Sequence, residues 1–123
     1  MFSHLHVHDA KGSLLDSILK VEDIAKFAKD NNQQAIAITN HGYMTSYVDF
    51  FLACKKYGVK PIIGNEVYEV DNMFEMNDTK DYQQPRYHLV LLASNQEGFK
   101  NLIKITSVSC TDGFYKKPRI DLS

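Results

Sequence analysis

The sequence predicts an α/β fold built on a largely parallel sheet or barrel rather than a sandwich. Three observations carry this. Short apolar runs alternate with segments of helical period. One of those runs is apolar on both of its faces, as a strand covered by helices must be. Polar or glycine-bearing breaks separate the runs.

Taken in order, Phe2 to His8 alternates strictly, with Leu5 and Val7 on one face and His4, His6 and His8 on the other, which predicts a first strand. From about Lys20 to Lys29, Val21, Ile24, Ala25 and Ala28 fall at i, i+3, i+4 and i+7, the stripe of a helix. The doubly apolar run Ala35–Thr39 predicts a central parallel strand ending at Asn40-His41-Gly42. A second helix is expected from Thr45 or Ser46, with Asp49 completing a capping box and Gly58 stopping it as a left-handed cap.

Pro61–Gly64 opens a third strand that runs through Glu66-Val67-Tyr68. Residues 71–85 are polar, acidic and aperiodic, and read as a long surface loop. Tyr87–Leu92 is the next strand. Asn95 then caps a third helix whose buried stripe is read as Phe99, Leu102, Ile103 and Thr106. The tail from Thr111 to Ser123 has no regular period, and the sequence contains neither internal repeats nor low-complexity tracts.

The composition sets limits on function. With 44% hydrophobic and 24% charged residues, the 123-residue chain suits one globular domain. No stretch reaches the roughly 20 apolar residues of a membrane span, and the first residues resemble no secretion signal, so a cytoplasmic location is expected. Cys54 and Cys110 form no paired motif, which argues against a disulfide framework or a thiolate zinc site. Fourteen basic against fifteen acidic side chains leave no broad positive field for DNA, so any DNA contact would be local or supplied by a partner.

Chemistry is signalled first by His4-x-His6-x-His8, because alternate strand residues project to one side with Cα atoms ~6.5–7 Å apart, close enough for two imidazoles to share one cation. Other donors come from separate segments: Asp16, His41 at a strand end, Glu66 within a strand and His88 at the start of another. A β-α architecture gathers strand ends around one mouth. Imidazoles with carboxylates favour zinc, manganese or iron over calcium or a purely magnesium site. Read one at a time, these residues leave structural roles open: Asp16 as a helix cap, Glu66 facing solvent from an edge strand, His88 as a satisfied core histidine.

The runs HLHVH, SLLDS, AIAITNHGYM, GVKPIIGNEVY, YHLVLLASNQEGFKNLIK and GFYKKPRID, collinear along essentially the whole chain, resemble the PHP domain of bacterial DNA polymerase III alpha subunits. The resemblance implies that residues 1–123 form the amino-terminal portion of a PHP metal-dependent phosphoesterase domain, roughly the first half of a distorted (β/α)7 barrel. It implies metal ligands at His6, His8, Asp16, His41, Glu66 and His88, with Glu66 bridging metals and with His4 and Asn40 supporting the ligands from behind. The implied cofactors are two or three ions of zinc, manganese or iron, which activate a water molecule and neutralise phosphoryl oxygens. No separate general base is evident.

Three departures from the family pattern stand out. The spacer from His8 to Asp16 is one residue longer, and Asn40 replaces an aspartate common before the motif histidine. The cysteine or histidine and the Asp-x-His motif that close the family site do not occur before Ser123. An incomplete cluster is therefore expected, in a piece of a longer polymerase or in a chain that pairs with itself through open barrel edges. The implied activity is 3′-5′ exonuclease or pyrophosphate removal in DNA replication, with DNA or nucleotide as substrate and other replication subunits as partners. Two alternatives are a non-catalytic domain that braces the polymerase or holds a proofreading subunit, and a stand-alone PHP phosphatase. Lys116, Lys117 and Arg119 are read as a basic turn, either solvated or touching DNA phosphate.

Overall fold

A computed structural model describes residues 2–79 and 82–123. Three helices, α1 (Val21–Asp30), α2 (Tyr47–Tyr57) and α3 (Gln96–Cys110), accompany four strands, β1 (Ala35–Ile38), β2 (Lys60–Glu69), β3 (Tyr87–Leu92) and β4 (Arg119–Ile120). The sheet is mixed. Along its first half β2 pairs in parallel with β1, from Ala35 opposite Lys60 to Ile38 opposite Ile63. Along its second half it pairs antiparallel with β3, from Gly64 opposite Leu92 to Glu69 opposite Tyr87. On its other side it pairs in parallel with β4.

The expected parallel sheet is thus corrected at β3, and connection length explains why. A parallel return needs a crossover element, usually a helix. The 71–85 segment has no helical period and no helix among its described residues, and the chain comes back beside β2 in the opposite direction. Among the described residues β3 has β2 on one side and no strand on the other, and the sheet is open rather than closed into a barrel.

The core forms where the sequence stripes meet. Ile24, Ala25 and Ala28 of α1, Ile36 and Ile38 of β1, Phe50, Ala53 and Cys54 of α2, and Val59 make one buried cluster. Fully burying a side chain such as Phe50 contributes about 1.5–3 kcal/mol. Gly58 ends α2 with φ 69°, the left-handed conformation that costs glycine nothing. The expected capping box is absent: the Ser46 hydroxyl donates to Asp9, and Asp49 accepts from Lys11.

On α3 the Asn95 side chain accepts from the Gly98 amide at 2.9 Å, a cap worth ~1 kcal/mol. Leu102 and Ser109 are the buried residues of this helix and Phe99 and Thr106 are partly buried, so the expected stripe holds except at Ile103, which is exposed. The Asn65 amide donates to Thr106 on α3 at 2.8 Å. Since strand side chains alternate, Glu66 and Tyr68 must point from β2 to the opposite face.

The residues before α1 depart most from expectation. The backbone from His4 to Val7 lies along β1, with the Ala37 amide donating to the His4 carbonyl and the Thr39 amide to that of Val7, but no regular ladder forms. Three residues on one chain span the distance of two on the other, so an extra residue breaks the alternation, as a bulge does. His4 therefore does not share a direction with His6 and His8.

Candidate metal centre

Four chain segments meet at the carboxylate of Glu66, which sits mid-way along β2 and is 4% exposed. His41 is delivered by a parallel bridge to Glu66, with the Gly42 amide donating to the Glu66 carbonyl at 2.8 Å. Gly42 adopts φ 70°, and a Cβ there would stand 2.5 Å from Pro118 Cγ, so only glycine lets the chain turn sharply after His41. His88 is delivered by the antiparallel ladder, in register with Tyr68. His6 and His8 arrive from the extended segment beside β1.

The distances describe one shared anion. His6 Nε2 lies 2.6 Å and His8 Nε2 2.7 Å from Glu66 Oε2, and His88 Nδ1 lies 2.7 Å from Oε1. His41 Nδ1 is 3.6 Å from Oε2. Burial would push the Glu66 carboxyl up, yet hydrogen bonds with His6 and His88 and the charges of His41 and His6 outweigh it and hold the pKa at about 2. Burial lowers the pKa of His41, as do the neighbouring His8 and His88, against the pull of Glu66 and Asp16.

This donor set fits divalent cations. His6, His8 and Glu66 form one group whose ligand atoms lie within 4.8 Å of one another, and His41, Glu66 and His88 form a second. Glu66 belongs to both, as a carboxylate with two oxygens facing different imidazoles can. His41 Nδ1 is buried and has no hydrogen-bond partner. An orphaned imidazole nitrogen is a cost that a bound cation removes. Nitrogen and carboxylate donors suit zinc, manganese or iron.

Not every expected site residue meets at Glu66. Asp16 is exposed and contacts the other ring nitrogen of His41, Oδ2 to Nε2 at 3.5 Å, placing it at the rim of the cluster. His4 turns away from the site: its Nδ1 lies 3.0 Å from the Gln33 side chain, and its ring packs edge-on against Phe27. The Asn40 side chain does not reach the His41 ring. Its amide donates to Asp9 Oδ1 at 2.6 Å and to the Ser46 hydroxyl at 2.8 Å, and its carbonyl oxygen accepts from the Asp9 amide and the Ser13 hydroxyl. The Ser13 hydroxyl accepts in turn from the His41 backbone amide at 3.3 Å.

Sequence reasoning missed Asp9 and Tyr68. Asp9 is 1% exposed and, through Asn40, Ser13 and Ser46, fixes the loop that carries Asp16. The signal was an acidic residue directly after the last histidine, opening a turn with Ala10, Gly12 and Ser13 close behind. The Tyr68 ring stacks on His41 and meets His88 edge-on. Its placement two residues after Glu66 on one strand could have been read from period alone.

Comparison with known proteins agrees with this architecture. The family model described as "PHP domain" matches residues 4–123. DNA polymerase III subunit alpha of Borreliella burgdorferi is 46% identical over 120 residues, covering 98% of this chain and 10% of that protein. The proteins of the same name from Helicobacter pylori and Aquifex aeolicus are 41% and 36% identical, each again over 98% of the chain. The chain spans about a tenth of the length of the curated relatives it matches. None of the described helices is long and apolar enough to cross a membrane.

Proposed function

This chain belongs to the PHP domain family, and we propose that its Glu66-centred cluster supplies part of a site that, in the complete domain, binds two or three zinc, manganese or iron ions and supports hydrolysis of phosphate esters within a replicative DNA polymerase. The observation that carries the reading is the buried Glu66 carboxylate in contact with three imidazoles, beside a fourth whose inward nitrogen has no partner. When bound, such a cluster supplies an activated water and charge to neutralise phosphoryl oxygens.

The chain's own residues act by holding and orienting. Glu66 serves both halves of the cluster, with His6 and His8 facing one oxygen and His88 the other. Asp16 lies 3.5 Å from the outer nitrogen of His41, where its charge favours a proton on that ring, and at the exposed rim of the cluster it is a further proposed ligand. The name of the relatives, a DNA polymerase subunit, supports DNA or nucleotide phosphate as the substrate and other replication subunits as partners; 3′-5′ exonuclease or pyrophosphate removal is the reaction we propose for it.

The experiment is metal analysis of the purified full-length protein after dialysis, beside His6→Ala/His8→Ala and Glu66→Gln variants, with circular dichroism as the fold control. The wild type should retain two or three ions, and both variants should bind at least about 100-fold more weakly, beyond the 10–100-fold typical of residues that only support ligands. Equal metal content in all three would remove the assignment. A folded wild type without metal would instead favour a non-catalytic brace.

A further inference from the structure

A cleft of about 420 Å³ opens beside the metal centre, and its wall includes Asp16, His41, Tyr43, Tyr68, Lys116 and Lys117. Three lysines reach this cleft, and two of them are already paired. Lys11 binds Asp49 at 2.6 Å and Lys116 binds Asp78 at 2.7 Å. Lys117 makes no ion pair among the described residues. Its Nζ donates to the Tyr68 hydroxyl at 3.2 Å and lies 4.6 Å from the centre of that ring.

Tyr68 connects this ammonium to the site. Its ring stacks on His41 with centroids 5.8 Å apart, and stands edge-on to His88 at 4.9 Å. A lysine held by a neutral hydroxyl and a π face is positioned without having its charge cancelled, which a carboxylate partner would do. The turn that presents it is also fixed from both sides. Lys116 adopts φ 60°, a left-handed conformation unusual for a residue with a side chain, and Pro118 is wedged against Gly42. Strain of this kind persists only where the surroundings over-determine it, and it clusters at ligand clamps.

We infer that Lys117, positioned by Tyr68, seats an anionic phosphoryl oxygen of the substrate beside the metal centre. The cleft thereby selects phosphate-bearing nucleotides or nucleic-acid ends over uncharged esters. The inference rests on the phosphoesterase reading for its setting, but the charge and position of Lys117 can be tested without metal.

Inorganic phosphate is titrated into the metal-free full-length protein and followed by phosphorus NMR, for the wild type, Lys117→Ala, Lys117→Arg and Lys116→Ala. The same proteins loaded with manganese are assayed on the p-nitrophenyl ester of thymidine 5′-monophosphate. Lys117→Ala should weaken phosphate binding about tenfold, the size of one charge-assisted hydrogen bond, and raise KM by a similar factor with a smaller effect on kcat. Lys117→Arg should stay within about threefold of wild type and Lys116→Ala within about twofold. Wild-type protein that binds no phosphate, Lys117→Ala that binds like wild type, or Lys116→Ala that loses as much would overturn the inference. Phosphate binding that depends on Lys117 in a protein unable to hydrolyse the ester would sink the phosphoesterase reading and leave the role of Lys117 standing.

Discussion

Replacing Arg119 by methionine tests how the tail is tied to the rest of the fold. Arg119 is 1% exposed, and its guanidinium donates to three backbone carbonyls: Nε to Gly113 at 3.0 Å, Nη1 to Glu75 at 2.9 Å and Nη2 to Met73 at 2.6 Å. These acceptors belong to the segment after β2 and the turn after α3, which the side chain clips together. Burial lowers the Arg119 pKa and the positive Arg86 adds to this, but a guanidinium remains charged. Bonds from a charged donor contribute roughly 1.5–3 kcal/mol each, so losing three would remove roughly 4.5–9 kcal/mol if nothing relaxed. Water reaching the freed carbonyls and relief of the buried charge offset part of that, leaving a loss of about 3–5 kcal/mol. For a chain of this size that corresponds to a fall in Tm of about 15 °C. Urea unfolding followed by circular dichroism measures it, and Arg119→Lys, keeping charge but not the fork, should fall between the two. If Arg119→Met unfolds within about 1 kcal/mol of wild type with an unchanged slope, the clip contributes little and the reasoning fails.

Two other expectations concern buried groups. Cys54 is buried and burial pushes its thiol up to about 11, whereas Cys110 is exposed. At about pH 8 a disulfide reagent should therefore titrate one thiol quickly and the second only in denaturant, with Cys54 gaining reactivity only as the pH nears its raised pKa; two fast thiols would contradict the burial. Asn40→Asp alone sets a second carboxylate where the amide now lies 2.6 Å from Asp9, and should cost about 3 kcal/mol. Adding Asp9→Asn should recover at least about 2 kcal/mol of it, read as the coupling energy of a double-mutant cycle; simple additivity would show that the two residues do not act as a unit.

The elements most legible in the sequence are those whose pattern is local. The α1 stripe, the apolar β1 run, the Gly58 stop and the Asn95 cap all appear at the positions their chemistry predicts. What escaped is set by partners distant in the chain. The two-residue β4 exists because β2 offers it an edge, and no periodicity can show in two residues. Arg119, read as part of a solvated or DNA-facing basic turn, is buried because three carbonyls from elsewhere converge on it. Ser46 and Asp49 look like a capping box by spacing, but each finds a better partner, Asp9 and Lys11, in a loop that local reasoning cannot place. The H-x-H-x-H alternation was sound for His6 and His8 and failed for His4, because an extra residue against β1 reverses the direction between them.

Asp9 organises the loop between His8 and Asp16. An amide at position 40 cannot supply the negative charge of the aspartate that the family resemblance leads one to expect there. The charge sits on Asp9, one hydrogen bond from Asn40, and that carboxylate also accepts from the Ser46 hydroxyl and the Lys11 amide. The loop from His8 to Asp16 is thus tied at its start to the end of β1 and the beginning of α2. Ser13 then passes the constraint to the His41 backbone, and Ser17 returns to the His8 carbonyl at 2.8 Å. A buried carboxylate with satisfied partners is rigid, and a half-satisfied one would be worse than none. That physical requirement explains why Asn40, Ser13 and Ser46 are all small polar residues around one charge, and how the loop is tied to the backbone of both His8 and His41.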